Sequence, residues 1–280
     1  MVVRELWSDR EEADLARFLG AAGSGNLVAA LHAIEGASED DATQDRALLA
    51  GWARRVEERL PRRGYVRPAE EARVLAVVLG HEAGFAGTRD DYYDPRNSFL
   101  HQVVGSRRGL PILLSAIWIE VGRRAGSLVA GIGLPGHFVV RVGARDGVLT
   151  DPFAGGRFLT VEDCRRRVEE LSGGSMPWRA EYLREPSTEQ VLERVLTNLA
   201  GAYKRAEDEA GRYRIAAFLA SLRPDSAQRL FERAELAEEL GIREMAEKDY
   251  TELVERFPDS TEAQQAAERL DGGPETPSPN

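Results

Sequence analysis

His137 and Asp151 are the residues whose types and spacing could do chemistry in this chain. His137 starts a β-rich run, HFVVRV, and Asp151 lies in the next one, VLTDPF, after an Asp-Gly turn. A hairpin would bring both side chains to one end of a sheet, where a carboxylate accepting from one imidazole nitrogen leaves the other to act as a base. Such a dyad needs a nucleophile at a helix N-terminus, where the dipole and free amides stabilise a thiolate and an oxyanion.

The helix that should carry this nucleophile begins at Pro111, within the stretch RRGLPILLSAIW. A proline in the first turn costs no hydrogen bond, and Gly126 marks the expected end after Ala125. The spacing predicts a buried face made of Leu114, Ile117, Trp118 and Val121. The position suited to a catalytic thiol is therefore held by a residue that cannot act as a nucleophile.

Ser115 and Cys164 are the two alternatives for the missing nucleophile. Ser115 lies four residues into the helix, about 6 Å along its axis at roughly 1.5 Å per residue, which is one turn too deep for an oxyanion site at the N-terminus. Its hydroxyl is expected to donate to the carbonyl of Pro111. Cys164 lies at apolar spacing between Val161 and Val168, which predicts a buried structural thiol.

Composition restricts the classes of partner. The chain of 280 residues carries 47 acidic and 37 basic residues, a net charge of -10, which argues against long-range attraction to nucleic acid or anionic membranes. A single cysteine forms no intramolecular disulfide, and the N-terminal segment lacks the apolar core of a signal peptide, so the cytoplasm is the expected compartment. A protein or peptide is therefore the expected partner, with no role for nucleic acid or membrane.

Neither a cofactor nor a metal ion is expected. The glycines between Gly20 and Gly25 follow no strand, so they make a poor phosphate-binding loop. The loop from Asp90 to Asp94 offers oxygen ligands that suit calcium or magnesium, but adjacent aspartates point apart, which favours a solvated turn. His101 is interpreted as an exposed helix residue, with a functional role as the alternative.

The elements around the dyad are mostly helical. Helices predicted from about Leu15 to Glu82 pack by one face, and the acidic stretch EGASEDDATQ between two of them is interpreted as a surface loop. The glycine-rich segment LVAGIGLPG leads into the two predicted strands. Thr160 opens a later helix, with Asp163 completing an approximate capping box three residues on.

The C-terminal third is wholly helical in pattern. LRPDS recurs as RFPDS, so that Pro224 and Pro258 lie 34 positions apart, which is the period of a tetratricopeptide repeat. The period places Gly241 in the turn between two helices that pack antiparallel. The residues predicted to be buried where these helices cross are Ala234, Ala246 and Tyr250.

Three sequence blocks carry a resemblance to a known family. YYDPRNSFLHQVVGSRRGLPILLSAIWIEVGRRAG, GIGLPGHFVVRV and LTDPFAGG resemble the SirB1 family, a transglutaminase-like group that often carries tetratricopeptide-type helices behind its core. The resemblance implies a cysteine-protease-like α+β fold with a Cys-His-Asp site. His137 and Asp151 match the histidine and the aspartate, whereas the cysteine position falls at or near Pro111. The chain also departs from the family at Leu113, often Thr or Ser there, and at His101, often Asn or Asp.

The sequence thus predicts an α+β chain in four segments. These are an N-terminal helical subdomain at 1–89, a transglutaminase-like core at 90–185, a tetratricopeptide-like helical module at 186–270 and a disordered tail at 271–280.

Two functions from different classes remain open. In the first, the chain is a non-catalytic binding or scaffold protein whose cleft, with His137 and Asp151, holds a peptide or protein partner. In the second, it is an acyltransferase or hydrolase that uses Ser115, or a water activated by His137, in place of a thiolate. The missing cysteine favours the first function.

Overall fold

In the computed structural model the described residues are 7–61, 66–88 and 92–272. They fall into two units, Gly20–Val195 and the described part of Met1–Leu19 together with Leu196–Asn280. Helices make up most of both units and a small antiparallel sheet lies in the first, so the predicted α+β class is confirmed. The expected boundary at residue 89 and nearly all of the expected tail, 273–280, lie outside the described residues.

The N-terminal half of the chain is helical. Its helices are α1 (Asp9–Gly23), α2 (Leu27–Glu35), α3 (Glu39–Arg59), α4 (Pro68–Leu75) and α5 (Leu100–Ser106). Helix α3 begins inside EGASEDDATQ, so the predicted surface loop is wrong. The Ser38 side chain accepts from the Asp41 amide as an N-cap, and the acidic residues that follow suit the positive end of the helix dipole. One acidic residue of this helix, Asp45, is only 1% exposed.

Helix α4 continues as a π-helix, Ala76–Glu82, where the sequence predicted one uninterrupted helix. This π-helix packs closely against the loop that follows the strand carrying Asp151. A Cβ atom at Gly80 would lie 2.2 Å from the carbonyl oxygen of Gly155, so no side chain fits at this position. The glycine therefore lets two backbones meet directly beside the dyad.

Gly80→Ala is expected to lower the free energy of unfolding by about 2 kcal/mol, because a backbone contact has to open to admit the methyl group. Gly51→Ala in α3 is the matched control, since a Cβ there meets nothing within 4 Å. That substitution should raise stability by roughly 0.5–1 kcal/mol through helix propensity. Urea denaturation of both variants measures the difference, and equal effects at the two glycines would contradict the close approach.

The sheet has four antiparallel strands in sequential order. They are β3 (Val129–Leu134), β4 (His137–Val142), β5 (Val148–Asp151) and β6 (Arg157–Leu159), while β1 (Ala86–Gly87) and β2 (Arg108–Gly109) form a separate parallel pair. The sequence predicted β4 and β5 but interpreted β3 only as a lead-in, because glycine is depleted in strands. Gly131 has a packing reason to be there: a Cβ would lie 2.8 Å from the ring of Phe138 on the neighbouring strand.

Helix α6 (Pro111–Arg124) packs against β3 and β4. Its predicted apolar face is confirmed, because Leu114, Ile117, Trp118 and Val121 are all fully buried. A second helix, α7 (Val161–Ser172), begins with the predicted capping box between Thr160 and Asp163. Cys164 and Val168 of α7 pack with Val139 and its apolar neighbours on the sheet. Side chains alternate along a strand, so His137 lies on the same face of β4 as Val139.

The remaining helices are α8 (Thr188–Arg205), α9 (Glu209–Leu222), α10 (Ala227–Glu239), α11 (Arg243–Arg256) and α12 (Thr261–Asp271). The predicted break between α10 and α11 is confirmed, with Gly241 in the left-handed region at φ 72°. The burial of Ala234, Ala246 and Tyr250 is also confirmed. Arg233 of α10 donates two hydrogen bonds to Asp249 of α11, at 2.6 and 2.7 Å.

Among the described residues, no helix is both long and apolar enough to cross a membrane.

Candidate functional site

The predicted contact between His137 and Asp151 is present in the structure. His137 begins β4 and Asp151 ends β5, and the imidazole Nε2 lies 3.0 Å from the carboxylate Oδ2. The two side chains are 5% and 1% exposed, so the hydrogen bond is shielded from water. The other carboxylate oxygen accepts from the backbone N–H of Phe153 at 3.0 Å. Asp151 thus fixes the imidazole while its own second oxygen is satisfied by the main chain.

Two contacts hold the start of strand β4 in place. The Arg194 guanidinium donates to the carbonyl of His137 at 2.8 Å and lies over the ring of Phe138, 5.5 Å from its centroid. Burial lowers the pKa of Arg194 below its ordinary value. The ring of Phe153 meets the His137 imidazole edge-on, with 5.8 Å between centroids. These contacts restrict the imidazole to one orientation.

The imidazole opens onto a cavity of about 240 Å³ between the sheet and α7. Its lining residues are Leu134, His137, Arg157, Leu159, Asp163, Arg166, Arg167 and Glu170. His137 Nδ1 has no hydrogen-bond partner within the described part of the chain. The cavity is therefore lined by a histidine with one ring nitrogen fixed by a carboxylate and the other not hydrogen-bonded to any described residue.

Three arginines line this cavity, and they differ in how far they are already paired. Arg166 donates to Asp163 at 2.8 Å, and Arg167 lies 3.8 Å from the Asp151 carboxylate, a distance too long for a hydrogen bond. The side chain of Arg157 makes no hydrogen bond or ion pair with any of the described residues, apart from a longer-range attraction to Asp163. The guanidinium of Arg157 is thus available to an incoming anion.

Ser115 is buried and turned toward the backbone of β4. Its Oγ donates to the carbonyl oxygen of Phe138 at 3.4 Å, so the predicted bond to the Pro111 carbonyl is replaced by one across the helix–sheet interface. Helix α6 packs against β4 here, which brings the Ser115 hydroxyl to the backbone of the strand. Ser115 makes no hydrogen bond to His137 within the described residues. The geometry does not pair this hydroxyl with the imidazole.

Cys164 is fully buried in the apolar cluster between α7 and the sheet, as the sequence predicted. Burial, with smaller effects from the carboxylates of Asp163 and Asp151, raises the pKa of its thiol to about 11. At neutral pH such a thiol stays protonated, and a protonated thiol is a poor nucleophile. Cys164 is therefore a core residue.

A second polar cluster lies among helices α2, α3 and α5, which are called the helical layer below. The sequence did not predict this cluster. His32 Nε2 is 3.0 Å from Asp45 Oδ2, and His101 Nδ1 is 3.1 Å from the same oxygen. His101 is thus half-buried and bonded, which corrects its interpretation as an exposed helix residue. The signal that could have found this cluster is the pair His32 and Glu35, since residues three apart share one face of a helix.

Glu35 is the most perturbed acid of this second cluster. Both of its carboxylate oxygens accept from the backbone N–H of His101, at 3.0 and 3.1 Å. Burial raises its pKa to about 8, against the lowering effect of that hydrogen bond, and the nearby charges of Asp45 and Asp41 raise it further. The loop from Asp90 to Asp94 was interpreted as a solvated turn rather than a cation site. Asp90 and Asp91 lie outside the described residues, and Asp94 is paired with Arg96.

Comparison with known proteins gives a family match and several relatives. Residues 44–197 match the family model described as the Transglutaminase-like superfamily. A UPF0162 protein of Xylella fastidiosa is 39% identical over 184 residues, which cover 64% of this chain and 66% of that protein. The chain thus spans slightly less than two thirds of the length of this relative.

Two further relatives extend the comparison. A UPF0162 protein of Pseudomonas aeruginosa is 30% identical over 189 residues, 68% of this chain and 69% of that protein. F-box only protein 21 of Mus musculus is 32% identical over 181 residues, 60% of this chain but 28% of the longer mouse protein. No solved structure matches the chain.

Proposed function

The chain belongs to the transglutaminase-like superfamily, and from this premise we propose that it is a non-catalytic member of the SirB1 type that binds a protein or peptide. The ligand enters the cavity beside His137 and presents a carboxylate to it. The single observation that carries the proposal is a His–Asp pair that opens onto an arginine-lined cavity whose lining, among the described residues, includes no serine, threonine or cysteine.

The absence of an attacking atom supports binding over catalysis. Helix α6 begins with Pro111, Ser115 donates to the Phe138 carbonyl, and Cys164 is a buried thiol with a raised pKa. Covalent acyl transfer requires a nucleophile within hydrogen-bond reach of its base, and none of these three residues meets that requirement. The Asp151 carboxylate and the His137 imidazole remain, and these two groups can contribute to ligand binding without a nucleophile.

The chemistry of the ligand follows from the lining of the cavity. Arg157 has a free guanidinium, and guanidinium groups bind carboxylates through paired N–H donors. His137 offers one more polar side chain in the same lining. Of the two acidic residues in the lining, Asp163 is engaged by Thr160 and Arg166, and Glu170 is outnumbered by the three arginines. A peptide with an acidic side chain or a free C-terminus therefore complements the site.

The C-terminal helices provide a second surface in this proposal. Helices α10 and α11 form a helical pair of the kind found in tetratricopeptide repeats, with a 34-residue recurrence between Pro224 and Pro258. Such repeats bind extended segments of partner proteins along their exposed faces. This role, and cytoplasmic localisation, belong to the proposal.

One observation favours an enzymatic alternative. The unpaired Nδ1 of His137, held by the bond from Nε2 to Asp151, is arranged as a general base for a water molecule would be. In this alternative, His137 takes a proton from a water molecule as its oxygen attacks the carbonyl carbon of an acyl group held by the arginines. The bond from that carbon to the amine or alcohol then breaks, and His137 returns the proton to the leaving group. Such a reaction needs no thiolate.

Arg157→Gln is expected to weaken binding of an acidic peptide at least tenfold. The probe is a library of acidic decapeptides. Each peptide is compared with a copy in which the carboxyl groups of Asp, Glu and the C-terminus are replaced by amides. Fluorescence anisotropy measures binding. Arg165→Gln is the control, because Arg165 lies on α7, the helix that borders the cavity, but is exposed and does not line the cavity. Ser115→Ala and Cys164→Ala should leave binding unchanged.

Mass spectrometry of the same peptides separates the two functions. Unaltered peptides after prolonged incubation, together with charge-dependent binding, support the binding protein. Hydrolysis that disappears in His137→Gln supports the enzymatic alternative. Equal binding of acidic and amidated peptides would overturn the carboxylate proposal.

A further inference from the structure

Three helices bring five titratable side chains together in the helical layer, away from the His137 cavity. Helix α2 contributes His32 and Glu35, which lie three residues apart and so share one face. Helix α3 contributes Asp41 and Asp45, one turn apart on one face. Helix α5 contributes His101 near its start. Metal sites in helical bundles are built in this way, from carboxylates and imidazoles on facing helices.

The distances within this group are those of atoms that share a cation. His32, Glu35 and Asp45 each offer one ligand atom, and these atoms lie within 4.8 Å of one another. The closest pair, His32 Nε2 and Asp45 Oδ2, is 3.0 Å apart. Ligands at about 2.1 Å from a tetrahedral ion lie about 3.4 Å apart, so the group needs only a small contraction to enclose one.

The cluster has an excess of negative charge once a metal ion displaces the proton that Glu35, with its raised pKa, otherwise keeps near neutral pH. Glu35, Asp41 and Asp45 supply three carboxylates, and none of them forms an ion pair with an arginine or a lysine within the described residues. The two nearest arginines are engaged elsewhere. Arg46 pairs with Glu39 at 2.9 Å, and the Arg107 guanidinium stacks 4.5 Å from the centroid of the Trp52 ring, reaching Asp45 only through its longer-range charge. A divalent cation would neutralise this excess.

His32 is buried in the cluster with one ring nitrogen, Nε2, facing Asp45. The side chain is 3% exposed, and its Nδ1 is buried with no hydrogen-bond partner among the described residues. A buried imidazole nitrogen without a partner costs free energy, so it is uncommon in native proteins. His32 also lines a separate cavity of about 330 Å³, which provides a route of entry for a small ion.

We propose that His32, Glu35 and Asp45 bind a divalent first-row transition metal ion, with Zn²⁺ as the best match. Mixed imidazole and carboxylate donors suit this class of ion, whereas calcium and magnesium take oxygen ligands. His101 acts on the site through Asp45, to which its Nδ1 is hydrogen-bonded, and this orients the carboxylate as metal-site partners do. A fourth position is left for water or for a rotated His101.

The site is separate from the proposed peptide-binding cavity and lies partly outside the region that matches the superfamily. His32 and Glu35 precede residues 44–197, which match the family model, while Asp45 and His101 lie inside them. The ion would join helices α2, α3 and α5, so its role is to stabilise the helical layer. Loss of the metal therefore leaves the chemistry of the His137 cavity unchanged.

The test is a titration of the full chain with Zn²⁺ after treatment with a chelator. Isothermal titration calorimetry measures the binding. We expect 1:1 binding with a dissociation constant in the micromolar range or tighter, and an increase in the melting temperature on adding Zn²⁺. Substitution of Co²⁺ should give visible absorption bands that report nitrogen and oxygen ligands. Glu35→Gln and Asp45→Asn should each weaken binding about 100-fold.

His81→Ala is the control, because His81 is exposed and lies outside the cluster. It should bind Zn²⁺ like the wild-type protein. Circular dichroism verifies that each variant folds. Glu35→Gln preserves the shape of the side chain, so this variant alone can test the site if Asp45→Asn is unstable. The proposal fails if the wild-type chain shows no saturable binding up to about 100 μM Zn²⁺, or if Glu35→Gln binds as tightly as wild type and His81→Ala does not.

Discussion

His137→Ala is expected to lower the free energy of unfolding by about 3 kcal/mol, because removing one partner of a buried polar pair leaves the other desolvated and unpaired. The side chain left behind is Asp151, which is 1% exposed and would keep only the N–H of Phe153 and a distant Arg167. Urea denaturation at neutral pH measures the loss. The same variant should also lose peptide binding.

A double-mutant cycle separates this hydrogen bond from simple loss of packing. Adding Asp151→Asn to His137→Ala should cost clearly less than the sum of the single changes, with a coupling of about 1–3 kcal/mol between residues in direct contact. Thr150→Val is the control on the same strand, since Thr150 Oγ1 is buried without a partner and its removal opens no cavity. That variant should be as stable as wild type or slightly more so. Additive effects in the cycle would show that the two side chains do not interact.

Stability of the metal-free protein should fall as the pH rises from about 4.5 to 8, and Glu35→Gln should remove this part of the fall. The folded-state pKa of Glu35 is about 8, above its ordinary value of 4.5, so the folded chain keeps a proton that the unfolded chain releases. Its contribution is therefore fully present below pH 4.5 and is lost through this window, at up to roughly 1.4 kcal/mol per pH unit.

The charged groups around Glu35 define the control for this experiment. Asp41, Asp45, His32 and His101 surround it from helices α2, α3 and α5. The comparison is therefore the difference between wild type and Glu35→Gln, measured at each pH in the presence of a chelator. The variant should be the more stable by several kcal/mol at pH 8 and equal to wild type near pH 4. Parallel curves would contradict the raised pKa.

The dyad and its supporting elements were predictable because their signals are local. The run of β-formers after His137, the Asp-Gly turn and the apolar face of α6 each depend on neighbouring residues. The superfamily was predictable from the sequence blocks around Pro111 and His137. Strand β3 was missed because Gly131 weakens the strand pattern. The Phe138 ring leaves no room for a side chain at position 131, and that ring lies on another strand.

The second cluster was not predictable from local pattern. Asp45 lies in a stretch whose acidity suggests solvent, yet it is buried by His32, 13 positions away, and by His101, 56 positions away. Only the fold brings these residues together. The Ser115 hydrogen bond has the same origin, since its acceptor is on β4 and 23 positions away in the sequence.

The buried position of Cys164 has a practical consequence for studies of this protein. It is the single cysteine of the chain and it is fully enclosed in the core with a raised thiol pKa, so the folded wild-type protein should scarcely react with maleimides. Any cysteine introduced at the surface would then be the one reactive thiol, with no background cysteine to remove. A fluorophore or spin label attached beside the His137 cavity would report peptide binding directly, in the otherwise unmodified native chain.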